Sequence, residues 1–158
     1  MNKKSQKPND LFNYQTHRLQ NLITEMIECC QDRHVYEHQK FGVPYAELKC
    51  LLLFNGERYL TVKGIAEKLE VAKSRVTKII NGLIEKKLVK RFEDHHDKRV
   101  KLICLTPEGG EKCEQVRNFQ RQIHQDILKQ FDSEKRKQLF VYLESLRSAM
   151  ESVKQTLT

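Results

Sequence analysis

The stretch from Leu60 to Thr106, LTVKGIAEKLEVAKSRVTKIINGLIEKKLVKRFEDHHDKRVKLICLT, shifts its apolar period from helical spacing to strict alternation within one run. That shift constrains the fold more than anything else in the chain. Thr61 is placed to N-cap a short helix whose inward positions are Ile65, Ala66 and Leu69, since a threonine hydroxyl at a helix start satisfies a free backbone N–H. After a break at Glu70-Val71-Ala72, a second helix carries Val76, Ile80 and Leu83 at 3.6-residue spacing, with Ile79 and Ile84 beside them, so one stripe faces a core. Ser74, Lys78 and Asn81 point away from that stripe, with Lys73, Arg75 and Thr77 around them. Two short helices joined by a tight turn, the second with a polar and cationic outer face, form the arrangement that reads a DNA groove. Next come Leu88–Phe92 and Arg99–Leu105, in which Val100, Leu102 and Cys104 alternate with Lys101 and Ile103. The spacing predicts a hairpin, or wing, with a polar tip of Glu93, Asp94, His95, His96, Asp97 and Lys98, and Arg99 opening its second strand.

Charge concentrates on the same stretch. Residues 58–101 hold 13 Lys+Arg against 6 Asp+Glu, which is +7 of the chain's net +8. A lone lysine there is most simply a solvated side chain, but a field of them over a groove-sized helix is what phosphates attract.

At these residues the chain resembles the MarR family of multiple antibiotic resistance regulators. The matching pieces are Leu69-x-Val71, Val76-Thr77, Leu83-x4-Leu88-Val89-x-Arg91, the wing tip Asp94-x-x-Asp97-x-Arg99 and the exit Leu105-Thr106-Pro107-x-Gly109. Two departures stand out: Lys87 where the family usually has Gly, which implies a helix ended by a non-glycine in the left-handed region, and Gly82 in mid-helix. The resemblance implies a mainly α fold with a small β-hairpin wing: a winged helix-turn-helix plus long dimerisation helices. It also implies a homodimer on pseudo-palindromic double-stranded DNA, modulated by a small aromatic or phenolic effector held between the dimer helices and the DNA-binding lobe. Arg99 would enter the minor groove, with Asp97 holding its guanidinium. A narrow A·T-rich groove and a weakly hydrated guanidinium suit each other. The bland alternative is an exposed hairpin ion pair of about 0–1 kcal/mol.

Outside this lobe, assigned to 44–106, residues 1–9 are polar and expected to be disordered. A helix is expected from Asp10, as N-cap, to about Gln39, with the stripe Leu19, Leu22/Ile23, Met26/Ile27 and Cys30. A second runs from Tyr45 to Phe54 with Leu48, Leu51 and Leu52 inward, and Tyr59-Leu60 add a short strand beside the wing. Two more follow, with stripes Cys113, Val116, Phe119, Ile123, Ile127, Phe131 and then Leu139, Tyr142/Leu143, Leu146, Met150, Val153, Leu157. The helical regions 10–40 and 107–158 carry more apolar stripe than one winged domain can bury, which argues for an intertwined homodimer.

His17, Arg18, Tyr36 and Tyr45 lie on helices that would line the effector pocket, though each is also simply read as a surface or interface residue. Cys30, His34 and His38 recur every four residues on one helix face, a donor set suited to Zn²⁺; against it, Cys30 continues the apolar stripe. A thiol-responsive regulator is the other variant, but 11–16, where the peroxide-responding branch of the family keeps its cysteine, holds none. Cys50 and Cys104 read as small buried hydrophobes. No cofactor is expected. The chain lacks a Gly-rich phosphate loop, His-Glu-x-x-His and Gly-x-Ser-x-Gly, and is read as no enzyme; a winged module for protein partners is the remaining class. No apolar run approaches the ~18 residues of a membrane span, and the basic N-terminus lacks the apolar segment of a signal peptide, so a cytoplasmic protein with no membrane contact is expected.

Overall fold

The computed structural model describes residues 8–94, 97 and 99–157. Of the segment expected to be disordered, residues 1–7 lie outside the described residues, and Pro8 and Asn9 are helical. The chain forms two compact units, one through Cys113 and one from Glu114.

The first unit opens with α1 (Pro8–Phe41). It begins two residues before the expected cap, so Asp10 sits in the first turn, where its charge opposes the positive helix end. α2 (Tyr45–Leu51) starts directly after Pro44 and tightens into a 3₁₀ turn over Leu52–Phe54. β1 (Leu60–Thr61), α3 (Val62–Leu69), α4 (Lys73–Glu85), β2 (Val89–Glu93) and β3 (Lys101–Leu105) complete the winged lobe, and α5 (Pro107–Lys129) begins beyond it. The Thr61 hydroxyl accepts from Gly64 N at 3.0 Å and caps α3 as its position predicts.

Both helix-turn-helix elements end left-handed on non-glycine residues. Lys87 has φ +59°, as the missing glycine implied, and Glu70, which no sequence signal marked, has φ +54°. In each case the next residue's N–H reaches back to the helix, Leu88 N to Leu83 O at 2.9 Å and Val71 N to Ala66 O at 3.1 Å, the closing pattern of a Schellman motif.

The sheet order is β1-β3-β2, all antiparallel. The expected alternation in β3 is corrected here. Ile103, not Leu102 or Cys104, is the residue with no exposure, and it pairs with Leu60 and Arg91 on its two sides. Cys104, on the opposite face of this central strand, is buried as well. The strand also starts at Lys101, so Arg99 lies in the turn rather than in the strand. Leu48, Leu51, Ile65, Ile80, Leu83 and Ile103 are essentially sealed from water, each worth roughly 1.5–3 kcal/mol. Leu52, expected inward, is half-buried, while Cys50 and Phe54 take the core positions.

Gly82 has a packing reason. A Cβ there would collide with the Glu47 carboxylate, which is almost wholly buried between α2 and α4 and is paired with Lys86 Nζ at 3.0 Å. Gly82→Ala alone is therefore expected to give no gain in stability despite alanine's better helix propensity. In a Glu47→Ala background the same change should gain about 1 kcal/mol. Urea unfolding of the four proteins checks this, and an equal gain in both backgrounds is the contrary result.

In the second unit, α5 continues to Lys129 and α6 (Ser133–Thr156) begins where the Asp132 carboxylate accepts from Lys135 N at 2.8 Å. That hydrogen bond holds the Asp132 carboxyl below the usual carboxylate range. α6 buries no residue, and Tyr142, Met150, Val153 and Leu157 are exposed. Among the described residues no helix is long and apolar enough to cross a membrane.

Candidate nucleic-acid interface

α4 is held by Val76, Ile79, Ile80 and Leu83, all buried, so its opposite face is forced outward. Lys73, Ser74, Arg75, Thr77, Lys78 and Asn81 are all exposed, and the structure brings them together on that face. Thr77 Oγ1 donates to Lys73 O at 3.0 Å, which occupies its hydrogen within the helix. Among the described residues, Lys73, Arg75 and Lys78 have no acidic partner. Neighbouring lysines do: Lys86 with Glu47, Lys63 with Glu67 at 3.8 Å, Lys68 with Glu57 at 3.7 Å. The uncompensated charge thus falls on the outward face of α4, where it raises the local positive potential.

The wing tip is built by its aspartates. Asp97 N donates to Asp94 Oδ1 at 3.2 Å, Asp94 N to Val100 O at 3.0 Å, and Val100 N to Asp97 O at 2.9 Å. The Asp97 carboxylate accepts from the backbone N–H of Arg99 at 2.9 Å. It thereby sets the turn that presents Arg99. Lys98, His95 and His96 lie outside the described residues. Arg99 is exposed and lines a hollow of about 340 Å³ together with Lys73, Lys63 and Lys101. Wing and α4 thus open on one cationic recess. Lys101 is also paired with Glu93.

Sequence reasoning named Arg91 in the motif but gave it no place in the site. Its Nη2 donates to Asn81 Oδ1 at 3.0 Å, tying β2 to the exposed face of α4. The signal was available in the two-residue strand period. Arg91 lies two positions beyond Val89, which is buried, and so shares the sheet face that looks onto the helices.

The four residues named for an effector pocket do not converge. His17 and Arg18 are exposed near the start of α1, about 28 Å of helix from Tyr36 at 1.5 Å per residue. Tyr36 is exposed, with Lys40 Nζ 5.8 Å from its ring centroid. Tyr45 is stacked on His34, centroids 3.7 Å apart at 19°, and both line a hollow of about 270 Å³ with Val35, His38 and Pro44. Burial pushes the His34 imidazole below its ordinary value.

The proposed metal donors are not assembled either: among the described residues no group of three or more His, Cys, Asp or Glu is placed to hold an ion. Cys30 is exposed rather than part of a buried stripe, and on the same helix Glu37 is the buried residue, 3.7 Å from Arg33 Nε. Cys50, Cys104 and Cys113 are buried, and burial pushes the Cys50 thiol up to about 12, which keeps it protonated and inert.

A family model described as the MarR family matches residues 41–100. The HTH-type transcriptional repressor MdtR of Bacillus subtilis (strain 168) is 33% identical over 98 residues, 62% of this chain and 63% of that protein. The match thus spans less than two thirds of that relative's length. Among solved structures, the YusO protein from Bacillus subtilis superposes with a TM-score of 0.72 at 28% identity, covering 91% of this chain and 99% of that one. FabT of Streptococcus pneumoniae, solved in complex with DNA, superposes with a TM-score of 0.74 at 18% identity, covering 85% and 99%; at that identity the likeness is one of fold.

Proposed function

We propose that this chain is a member of the MarR family, whose model matches residues 41–100, and that it is a cytoplasmic transcriptional regulator, acting as a repressor, that binds pseudo-palindromic duplex DNA as a homodimer. The observation that carries the reading is the shared cationic recess, in which Lys73 at the start of the recognition helix and Arg99 of the wing face the same side. Lys73, Arg75 and Lys78 are assigned to phosphates and guanine edges, Ser74, Thr77 and Asn81 to the groove floor, and Arg99, with Asp97 and Lys98 at the tip, to the adjacent minor groove. The similarity to MdtR, a transcriptional repressor, and to FabT, solved on DNA, supports this reading.

The homodimer is supported by what one chain leaves open. α6 runs for 24 residues without burying one of them, and on α1 Leu19, Leu22, Met26 and Ile27 are exposed. Large apolar side chains left exposed along a helix in this way mark an interface. A small aromatic or phenolic effector is assigned to the hollow beside His34 and Tyr45, whose stacked rings already offer a flat apolar wall. His17 and Arg18 could join it only from the second copy.

The test is a titration of duplexes recovered from a random library, over a range of salt, with sedimentation alongside. A dimer on half-sites centred about 10 bp apart is expected. If Lys73, Arg75 and Lys78 of both copies each neutralise a phosphate, the log–log salt slope should be about −5. A flat salt response, or a species of 18.8 kDa only at micromolar concentration, would overturn the reading.

A further inference from the structure

We propose that Arg91 is a positioning residue for base recognition: it fixes the carboxamide of Asn81 in one orientation before DNA arrives, and so decides which base edge Asn81 can read. This rests on the DNA-binding reading above. A carboxamide carries an acceptor and a donor of nearly the same shape, and a half-turn of its last torsion exchanges them. On an exposed helix face such a side chain samples both states. Here the Arg91 guanidinium lies at 3.0 Å from Asn81 Oδ1. Arginine has five N–H donors and no acceptor, so the flipped amide would set donor against donor. The chemistry of the partner, rather than packing, excludes one of the two states.

Both ends of the contact are anchored to the core. Asn81 follows Ile80, which is fully buried, and Leu83 two residues later is buried as well. Arg91 follows the buried Val89 by two positions and pairs in register with Ile103. The left-handed Lys87 reverses the chain so that β2 returns along α4 and Arg91 can reach back ten residues. With its oxygen turned to Arg91, Asn81 presents its NH₂ outward and keeps one lone pair on the oxygen. That state suits bases offering an acceptor in the major groove, adenine N7 with its N6 amine or guanine O6/N7. Arg91 itself need not touch a base.

The experiment is a selection from a randomised duplex library with full-length wild type, Asn81→Ala, Arg91→Ala, Arg91→Lys and the double alanine variant, each first shown by thermal melt to be folded. Asn81→Ala should abolish preference at one position in each half-site. Arg91→Ala should weaken preference at that same position by about tenfold and leave the others intact, and the double variant should be no worse there than Asn81→Ala. Arg91→Lys should keep overall affinity yet not restore that preference, because a rotating ammonium does not hold an oxygen in one direction as a planar fork does. A uniform loss over all sequences with every preference retained would make Arg91 a phosphate contact and overturn the proposal, as would a changed preference at a different position. Failure of the wild type to select any duplex would overturn the DNA-binding reading, and the base-reading role with it. The free protein separates the two failures, since the Asn81 side-chain amide should become mobile by NMR relaxation in Arg91→Ala, and an amide equally mobile in wild type removes the positioning itself.

Discussion

Gly109→Ala is expected to destabilise the protein by about 3 kcal/mol, although the position lies in the first turn of α5, where alanine is ordinarily the better residue. The reason is the backbone of Leu88. A Cβ on residue 109 would overlap the Leu88 carbonyl and crowd its Cα, and neither chain can move aside. Leu88 and Val89 are buried, and the Leu88 carbonyl accepts from Thr106 N at 3.1 Å. The Thr106 hydroxyl donates to Lys87 O at 2.7 Å and accepts from Gly109 N at 3.0 Å. The exit Leu-Thr-Pro-x-Gly is thus a clamp in which α5 closes on the base of the wing. Overpacking at such a site typically costs about 1–3 kcal/mol, occasionally more. Gly110→Ala is the control. Its Cβ would meet nothing within 4 Å, so it should gain up to about 1 kcal/mol. Denaturant unfolding of both variants decides the point, and equal stability for the two would show that the Leu88 backbone gives way.

Arg99→Ala is expected to have the largest effect on binding, a loss of about 1–3 kcal/mol per half-site and a salt slope lower by about one for each lost contact. Its effect on folding should stay within about 0.5 kcal/mol, because Arg99 is exposed. The loss should be greatest on sites with A·T-rich flanks, where the minor groove is narrow and its potential deepest. Asp97→Ala should lose less, since it leaves the charge in place. By removing the acceptor for Arg99 N, it loosens the turn that aims the side chain. Titrations of both variants at several salt concentrations, with melts alongside, provide the readout. Wild-type affinity for a well-folded Arg99→Ala protein would leave the recognition helix to carry the function alone.

The helix-turn-helix and wing were legible because periodicity reports which face of an element is apolar. Val76, Ile80 and Leu83 placed the outward face of α4 from spacing alone, the cap at Thr61 followed from local chemistry, and the left-handed Lys87 from the glycine usual there in the resembled family. What periodicity cannot report is what covers a face. Leu19 and Met26 on α1 and Met150 on α6 read as buried stripes, yet within one chain they are exposed. For the same reason Glu37, buried on an otherwise exposed stretch of α1, and Glu47, buried beside Leu48, left no mark in the pattern. The strand period puts Arg91 on the helix-facing side of β2, but which residue it meets there depends on the chain reversal across the ten residues back to Asn81.

Glu70 and Lys87 lie at the surface, where by exposure alone almost any residue would serve. Their backbones, at φ +54° and +59°, say otherwise. A branched Val, Ile or Thr is strongly disfavoured in the left-handed region, whereas Gly, Asn and Asp enter it easily. Drift at these two codons is therefore channelled: Glu to Gly or Asp, and Lys to Asn, are each reached by a single nucleotide step, and each eases the backbone. The ends of α3 and α4 thus admit a narrow alphabet that burial does not impose, and it is the handedness of the turn that sets it.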